Sequence, residues 1–173
     1  MTDGSWWEAV KGPDLNQGDF LPDCVVALVP EDFSPTDGKV EEFEGQYFDL
    51  IVVTQSCDLE NNKAPFVALC PLYPLSVFEK DNPAFKGKWE PVRQGNRHGL
   101  HMLASMTHPE DNASAVVVDF HQIFSLPVGY LNRRAAGLGE RKRLKSPYVE
   151  HFSQAFARFF MRVGLPSNIP PFK

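Results

Sequence analysis

Apolar residues fall into short dense runs separated by polar, turn-forming segments, and most of the runs read as strands. "WWEAV" (Trp6 to Val10) reads as a short helical turn covering the core with two tryptophans. A turn at Gln17-Gly18-Asp19 leads into an apolar run from Cys24 to Val29, which Pro30 ends. The acidic stretch that follows, "EDFSPTDGKVEEFEGQ", reads as a loop. "YFDLIVVTQS" is β-branched and aromatic, and its unbroken apolar centre predicts a strand buried on both faces. Asp58 to Lys63 supplies turn chemistry, and "APFVALCPLYPL" returns as the next strand of a hairpin. Pro71 and Pro74 predict that this strand stops early or lies at an edge.

Ser76 to Gly99 is a polar excursion with one short helix around Leu75 to Lys80; an excursion of this length points to a function or to an order–disorder role. "GLHMLAS" predicts another strand. "VVVDFHQIFSLP" (Val116 to Pro127) predicts one long strand, with Val118, Phe120, Gln122 and Phe124 on one face. The last element is a helix from Ser146, as N-cap, to about Val163. Tyr148, Phe152, Ala155, Phe156, Phe159, Phe160 and Val163 form its apolar face, Arg158 and Arg162 lie in its last turns, and Gly164 follows as C-cap. The whole reads as one α+β domain. A strongly bent, mostly antiparallel barrel spans residues 17–127 with an insertion at 76–99, then a basic loop at 128–145 and a C-terminal helix at 146–163 packed across the sheet.

Composition narrows the setting. The 173 residues are 43% apolar, enough for a core of their own. No apolar run approaches the roughly 20 residues needed to cross a bilayer, and the start lacks the pattern of a secretory signal. Cys24, Cys57 and Cys70 have neither disulfide-framework nor zinc-ribbon spacing, so a cytoplasmic, reducing location without membrane contact is expected. The net charge of −5 is uneven: Tyr130 to Lys173 holds nine basic and two acidic residues, and the rest carries −12. Such a tail either meets an anionic partner or pairs with the protein's own acidic face.

The order of the parts, a "QGDF" opening, a "LIVVTQSCDLENN" strand and turn, an "FVALCPLYPL" return strand and a late strand carrying Asp119 and Gln122, resembles the MazF/PemK/Kid family of bacterial toxins. The pattern covers most of Gly18 to Pro127. The resemblance implies an SH3-like small barrel, a toxin–antitoxin, stress or phage-defence setting, a tendency to dimerise, and metal-independent RNA cleavage. That cleavage uses an arginine before the first of these strands and a threonine or aspartate near the return strand. Here those places hold Phe48-Asp49 and Leu72-Tyr73, so the expected catalytic pair is not matched.

Candidate chemistry is accordingly sparse. Cys57 is flanked by Asp58 and Glu60, which disfavour a thiolate, and reads as a buried packing cysteine. His98 and His101, three apart on a strand, would point to opposite faces, so no metal site or cofactor is expected. Ser56, Asp58 and Glu60 form a strand-end turn suited to contacts. The run "RRAAGLGERKRLKSPY", with Arg133, Arg134, Arg141, Lys142, Arg143 and Lys145, suits phosphates or an acidic protein partner. The expected function is a non-catalytic binding or regulatory module, with RNA or an acidic protein as partner. The alternative is an endoribonuclease with a rearranged site, in which Arg93, Arg97, His98 or His101 replaces the missing arginine and Asp58 or His121 moves the proton.

Overall fold

The computed structural model describes residues 5–35, 42–61 and 63–161. Its strands are β1 (Trp7–Lys11), β2 (Phe20–Ala27), β3 (Gly45–Val52), β4 (Phe66–Pro74), β5 (Leu100–Leu103), β6 (Val116–Asp119), β7 (Phe124–Pro127) and β8 (Glu140–Leu144). Its helices are α1 (Ser56–Glu60), α2 (Leu75–Asp81), α3 (Glu90–Arg93), α4 (Val128–Leu138) and α5 (Tyr148–Phe160). The fold is α+β, and every strand pairing is antiparallel.

The main sheet runs β2-β3-β4-β6-β5, with β7 also on β4, while β1 and β8 form a separate ribbon. Among the described residues β2 and β5 do not pair, so the sheet does not close into a barrel. The ribbon joins the sheet through a bridge between Asp19 and Arg143. Gly18 makes that approach possible: its φ is +84°, and a Cβ there would lie 2.9 Å from the Leu144 side chain.

The two-faced burial expected of the β3 run is present and has a simple cause. Successive side chains alternate across a strand, so Ile51 enters a core beneath α5 while Leu50 and Val52 enter a core beneath α4. The α5 side is closed by Phe152, fully buried against Ile51, Leu72, Val118 and Phe120. Removing a side chain of that size from water stabilises by about 2–3 kcal/mol. The α4 side is closed by Leu131 and Ala135, one helical turn apart. A third core, Leu75, Phe78, Val92, Leu100, Ala115 and Val117, lies beneath the 76–99 excursion.

Several expectations are corrected. Trp6 to Val10 is no helical turn: Trp7 begins β1, whose register opposite β8 pairs Trp7 with Leu144 and Lys11 with Glu140. The 128–145 segment is not a loop but α4 followed by β8, because Leu131 and Ala135 dock on the core and Gly139, at φ +71°, ends the helix. The Asp58 turn is longer than expected and contains α1.

β4 is central, not an edge strand. Pro71 is accommodated there because β7 covers Phe66 to Leu69 and β6 only begins at Leu72, so its missing N–H falls at the handover. The long strand expected from Val116 to Pro127 is broken into β6 and β7 by a turn at Phe120-His121, where the Asp119 carboxylate accepts from the His121 N–H at 3.0 Å. The terminal helix is α5, with Pro147 rather than Ser146 at the cap position. Arg162, Val163 and Gly164 lie outside the described residues.

Candidate functional site: an arginine and histidine cleft

The excursion is far from a polar decoration. Phe78, Phe85 and Trp89 pack ring against ring at 5.5–5.6 Å, and the Trp89 indole N–H donates to Glu79 at 2.7 Å. That bond and the Gly87 N–H hold the Glu79 carboxyl below its ordinary range. An aromatic core of this kind costs the following segment its freedom, and so fixes what Arg93 to Gly99 presents.

Between that segment, β5 and α5 lies a cleft of about 420 Å³. Its wall carries Arg93 and Arg97 from the excursion and Arg158 from α5, together with His98, His101 and His151. No carboxylate side chain is among the lining residues, in a protein whose net charge is −5. Arg93 is partly neutralised by Glu90, at 2.6 Å. Among the described residues Arg97 and Arg158 make no ion pair. Arg97 is held instead with its guanidinium 4.7 Å above the centre of the Phe85 ring, a contact that orients the fork without neutralising it.

His101 is half-buried, nearly parallel to Phe120 at 6.1 Å and close to Phe152. Burial, with a smaller contribution from the neighbouring His151, pushes its pKa down to about 4. At neutral pH it therefore enters the cleft uncharged. Trp6 lines the cleft while stacked on Tyr148 at 4.2 Å and 7°.

A smaller cleft of about 290 Å³ shares Arg97, His98 and Leu100 with the first and adds Asp119 and His121. A third hollow, about 510 Å³, is lined by Arg93 together with Glu79 and Glu90, and the two carboxylates oppose an anion.

The structure thus brings Arg93, Arg97, His98 and His101 to one wall and His121 to the adjoining cleft. It leaves Asp58 out of both. Ser56, Asp58 and Glu60 lie on α1, where the Ser56 hydroxyl accepts from the Gln17 N–H at 3.1 Å. Cys57, expected to be buried, is exposed on that short helix; Cys24 and Cys70 are the buried cysteines, and burial raises their thiols to about 11 and about 12. Among the described residues no group of three His, Cys, Asp or Glu side chains is placed to hold a metal ion, and no helix is long and apolar enough to cross a membrane.

Three arginines of the conspicuous basic run are spent on partners within the protein. Arg141 is buried and donates to the fully buried Asp19 carboxylate at 3.0 and 3.1 Å and to the Gly12 and Asp14 carbonyls. Arg143 grips the same carboxylate from the other side. Arg134 donates to the Pro22 carbonyl at 3.0 Å, with Asp23 3.5 Å away. Arg133 is exposed on α4 and Lys142 half-buried on β8; Lys145, just past β8, donates its backbone N–H to the Trp6 carbonyl.

Sequence reading did not single out Trp6 or His151 for the site, and assigned Arg158 only to the end of its helix. The available signal was the spacing His151, Gln154, Ala155, Arg158, which puts the four on one stripe of α5. No family model matches the chain, and no curated protein does.

Proposed function

We propose that the protein is a binding module for a phosphate-bearing strand, RNA, which it takes through the cleft between the excursion, β5 and α5. The observation that carries this reading is the lining itself: three arginines and three histidines with no carboxylate side chain among them, in an acidic protein. Arginine forks match phosphate oxygens and neutralise them without reading sequence. The partly exposed Trp6 indole at the rim adds a surface for an unpaired base.

The strand order and the resemblance to the MazF/PemK/Kid toxins support a scaffold of the SH3-like small-barrel type, opened between β2 and β5. The resemblance alone supports a bacterial stress or phage-defence setting in the cytoplasm. In this reading the contact surface moves from the 133–145 segment to the excursion, because Arg141 and Arg143 are committed to Asp19. Metal-independent RNA cleavage is the second reading, favoured by His98 beside Arg97 in both clefts.

A gel shift with a mixed RNA pool in EDTA, at low and moderate salt, tests the proposal. The expected result is binding that weakens steeply with salt. Absence of binding at low salt overturns it and directs attention to an acidic protein partner or a second copy of the chain.

A further inference from the structure

We infer that the hollow between α2, α3 and β5 is a pocket for an unpaired guanine base, taken from the strand whose phosphates sit on Arg97 and Arg158; this rests on the reading that the cleft takes RNA. The two spaces adjoin. Arg93 and Met102 line both the 420 Å³ cleft and the 510 Å³ hollow, while Arg97 and Arg158 belong to the cleft alone of the two. A nucleotide joins an anionic group to a flat, largely apolar ring, and the two spaces divide along the same line. The cleft is cationic, whereas the hollow has Leu75, Met102 and the Trp89 indole in its wall. Phe78 and Phe85, the ring partners of Trp89, do not line it, so it meets the indole on a side those rings leave free. Unpaired bases are held in this way, stacked on an aromatic ring and read along their Watson–Crick edge. The hollow is built mainly by the 76–99 excursion, an insertion in the strand order that resembles the toxin family, and so lies outside that pattern.

Two carboxylates in the wall decide which base. Glu90 is occupied: Arg93 donates to both of its oxygens, at 2.6 and 2.8 Å, and the Gln94 amide adds a third bond. Glu79 is occupied on one side only. Its Oε1 accepts from the Trp89 indole N–H at 2.7 Å and from the Gly87 N–H at 3.2 Å. Among the described residues its Oε2 accepts no hydrogen bond. An ionised carboxylate only accepts, so it selects a ring edge that donates. Guanine alone of the four bases presents two adjacent donors on its Watson–Crick edge, N1–H and the 2-amino group. Adenine and cytosine set a ring acceptor beside their amino group, and uracil flanks its N3–H with two carbonyls.

Guanine O6 needs a donor in turn. The exposed Asn112 amide in the wall and the Met102 backbone N–H supply it. The Met102 N–H is available because bonded pairs alternate along an antiparallel ladder. The Gly99 carbonyl accepts from the Phe120 N–H at 2.8 Å, so His101 and Leu103 turn their backbone groups to β6. Met102 turns its own away from β6, on the outermost strand of the sheet path.

The test is fluorescence anisotropy of a labelled uridine decamer and of the same strand carrying one central guanosine, inosine or adenosine. The guanosine strand is expected to bind about tenfold tighter than the adenosine strand, and inosine, which lacks the 2-amino group, loses most of that advantage. Glu79→Gln keeps an oxygen for Trp89 and Gly87 but sets an amide N–H₂ where Oε2 stood, and it removes the guanosine advantage. Ser76→Trp, at an exposed position of α2 in the wall, fills the hollow while leaving Glu79 in place, and has the same effect. Affinity for the plain uridine strand is the reference in each variant. A Glu79→Gln variant that weakens all four strands alike shows a merely structural role and overturns the inference. Equal binding of all four strands by the wild type, or a guanosine preference that survives both variants, also overturns it and leaves the RNA reading standing. Absence of binding by every strand overturns both.

Discussion

Two groups of arginines sit in opposite circumstances. Arg141 and Arg143 converge on Asp19, where both carboxylate oxygens are occupied and Asp19 and the Arg141 side chain are removed from water. Arg97 and Arg158 line an open cleft, exposed, with no carboxylate side chain in its wall. The first arrangement has no donor capacity to spare near the acid, and it joins the β1–β8 ribbon to the start of β2. The second offers charge to whatever enters. Charge density along a sequence therefore locates neither group: Arg141 and Arg143 of the denser run are turned to an internal carboxylate, while the isolated Arg97 and Arg158 face solvent.

The contrast can be broken most severely at Asp19. Asp19→Ala leaves Arg141 buried without its anion, and about 3–5 kcal/mol of stability is expected to be lost in urea unfolding. An unchanged midpoint would mean that the knot is dispensable. Gly99→Ala comes next. It forces a side chain into a left-handed conformation and against the His121 ring, with an expected cost of about 1–3 kcal/mol and displaced His121 resonances.

Acidification acts on the cleft side of the comparison. His101 titrates at about 4 when folded, against about 6.5 when unfolded. Between those values the unfolded chain binds a proton that the folded chain excludes, so stability is complete above pH 6.5 and declines as pH falls toward 4. The expected loss from this group is about 3 kcal/mol, absent in a His101→Phe variant measured over the same range. The smallest effect concerns Cys57. Iodoacetamide at mildly alkaline pH is expected to label it in the native protein, with no change in stability, while Cys24 and Cys70 react only on unfolding. Cys57 protected to the same degree as Cys24 and Cys70 would contradict the exposed placement of α1.

How much of this is legible in the sequence follows from the range of each interaction. The β3–β4 hairpin and α5 are written in local periodicity, through the Leu50-Ile51-Val52 run and the Phe152-Phe156-Phe159 spacing, and both are present. The break between β6 and β7 is hidden, since Asp119 alternates as a strand residue would; its side-chain bond to the His121 N–H and its carbonyl's bond from the Gln122 N–H turn the chain. The ribbon of β1 and β8 is hidden for another reason. Its partners are more than a hundred residues apart, and no local signal pairs Trp7 with Leu144. The cleft shares that difficulty. Arg97 and His98 are visible as candidates within the excursion, but their meeting with Trp6, His151 and Arg158 requires the third core to fold and α5 to pack.

The central claim is that the cleft, and not the 133–145 segment, meets the ligand. The direct measurement is RNA affinity across a salt series for two double variants, Arg97→Ala with Arg158→Ala and Arg133→Ala with Lys142→Ala. The account predicts at least about a tenfold loss and a shallower salt slope for the first pair, with little change for the second. The reverse ranking would contradict it and return the contact surface to the outer face of α4 and β8.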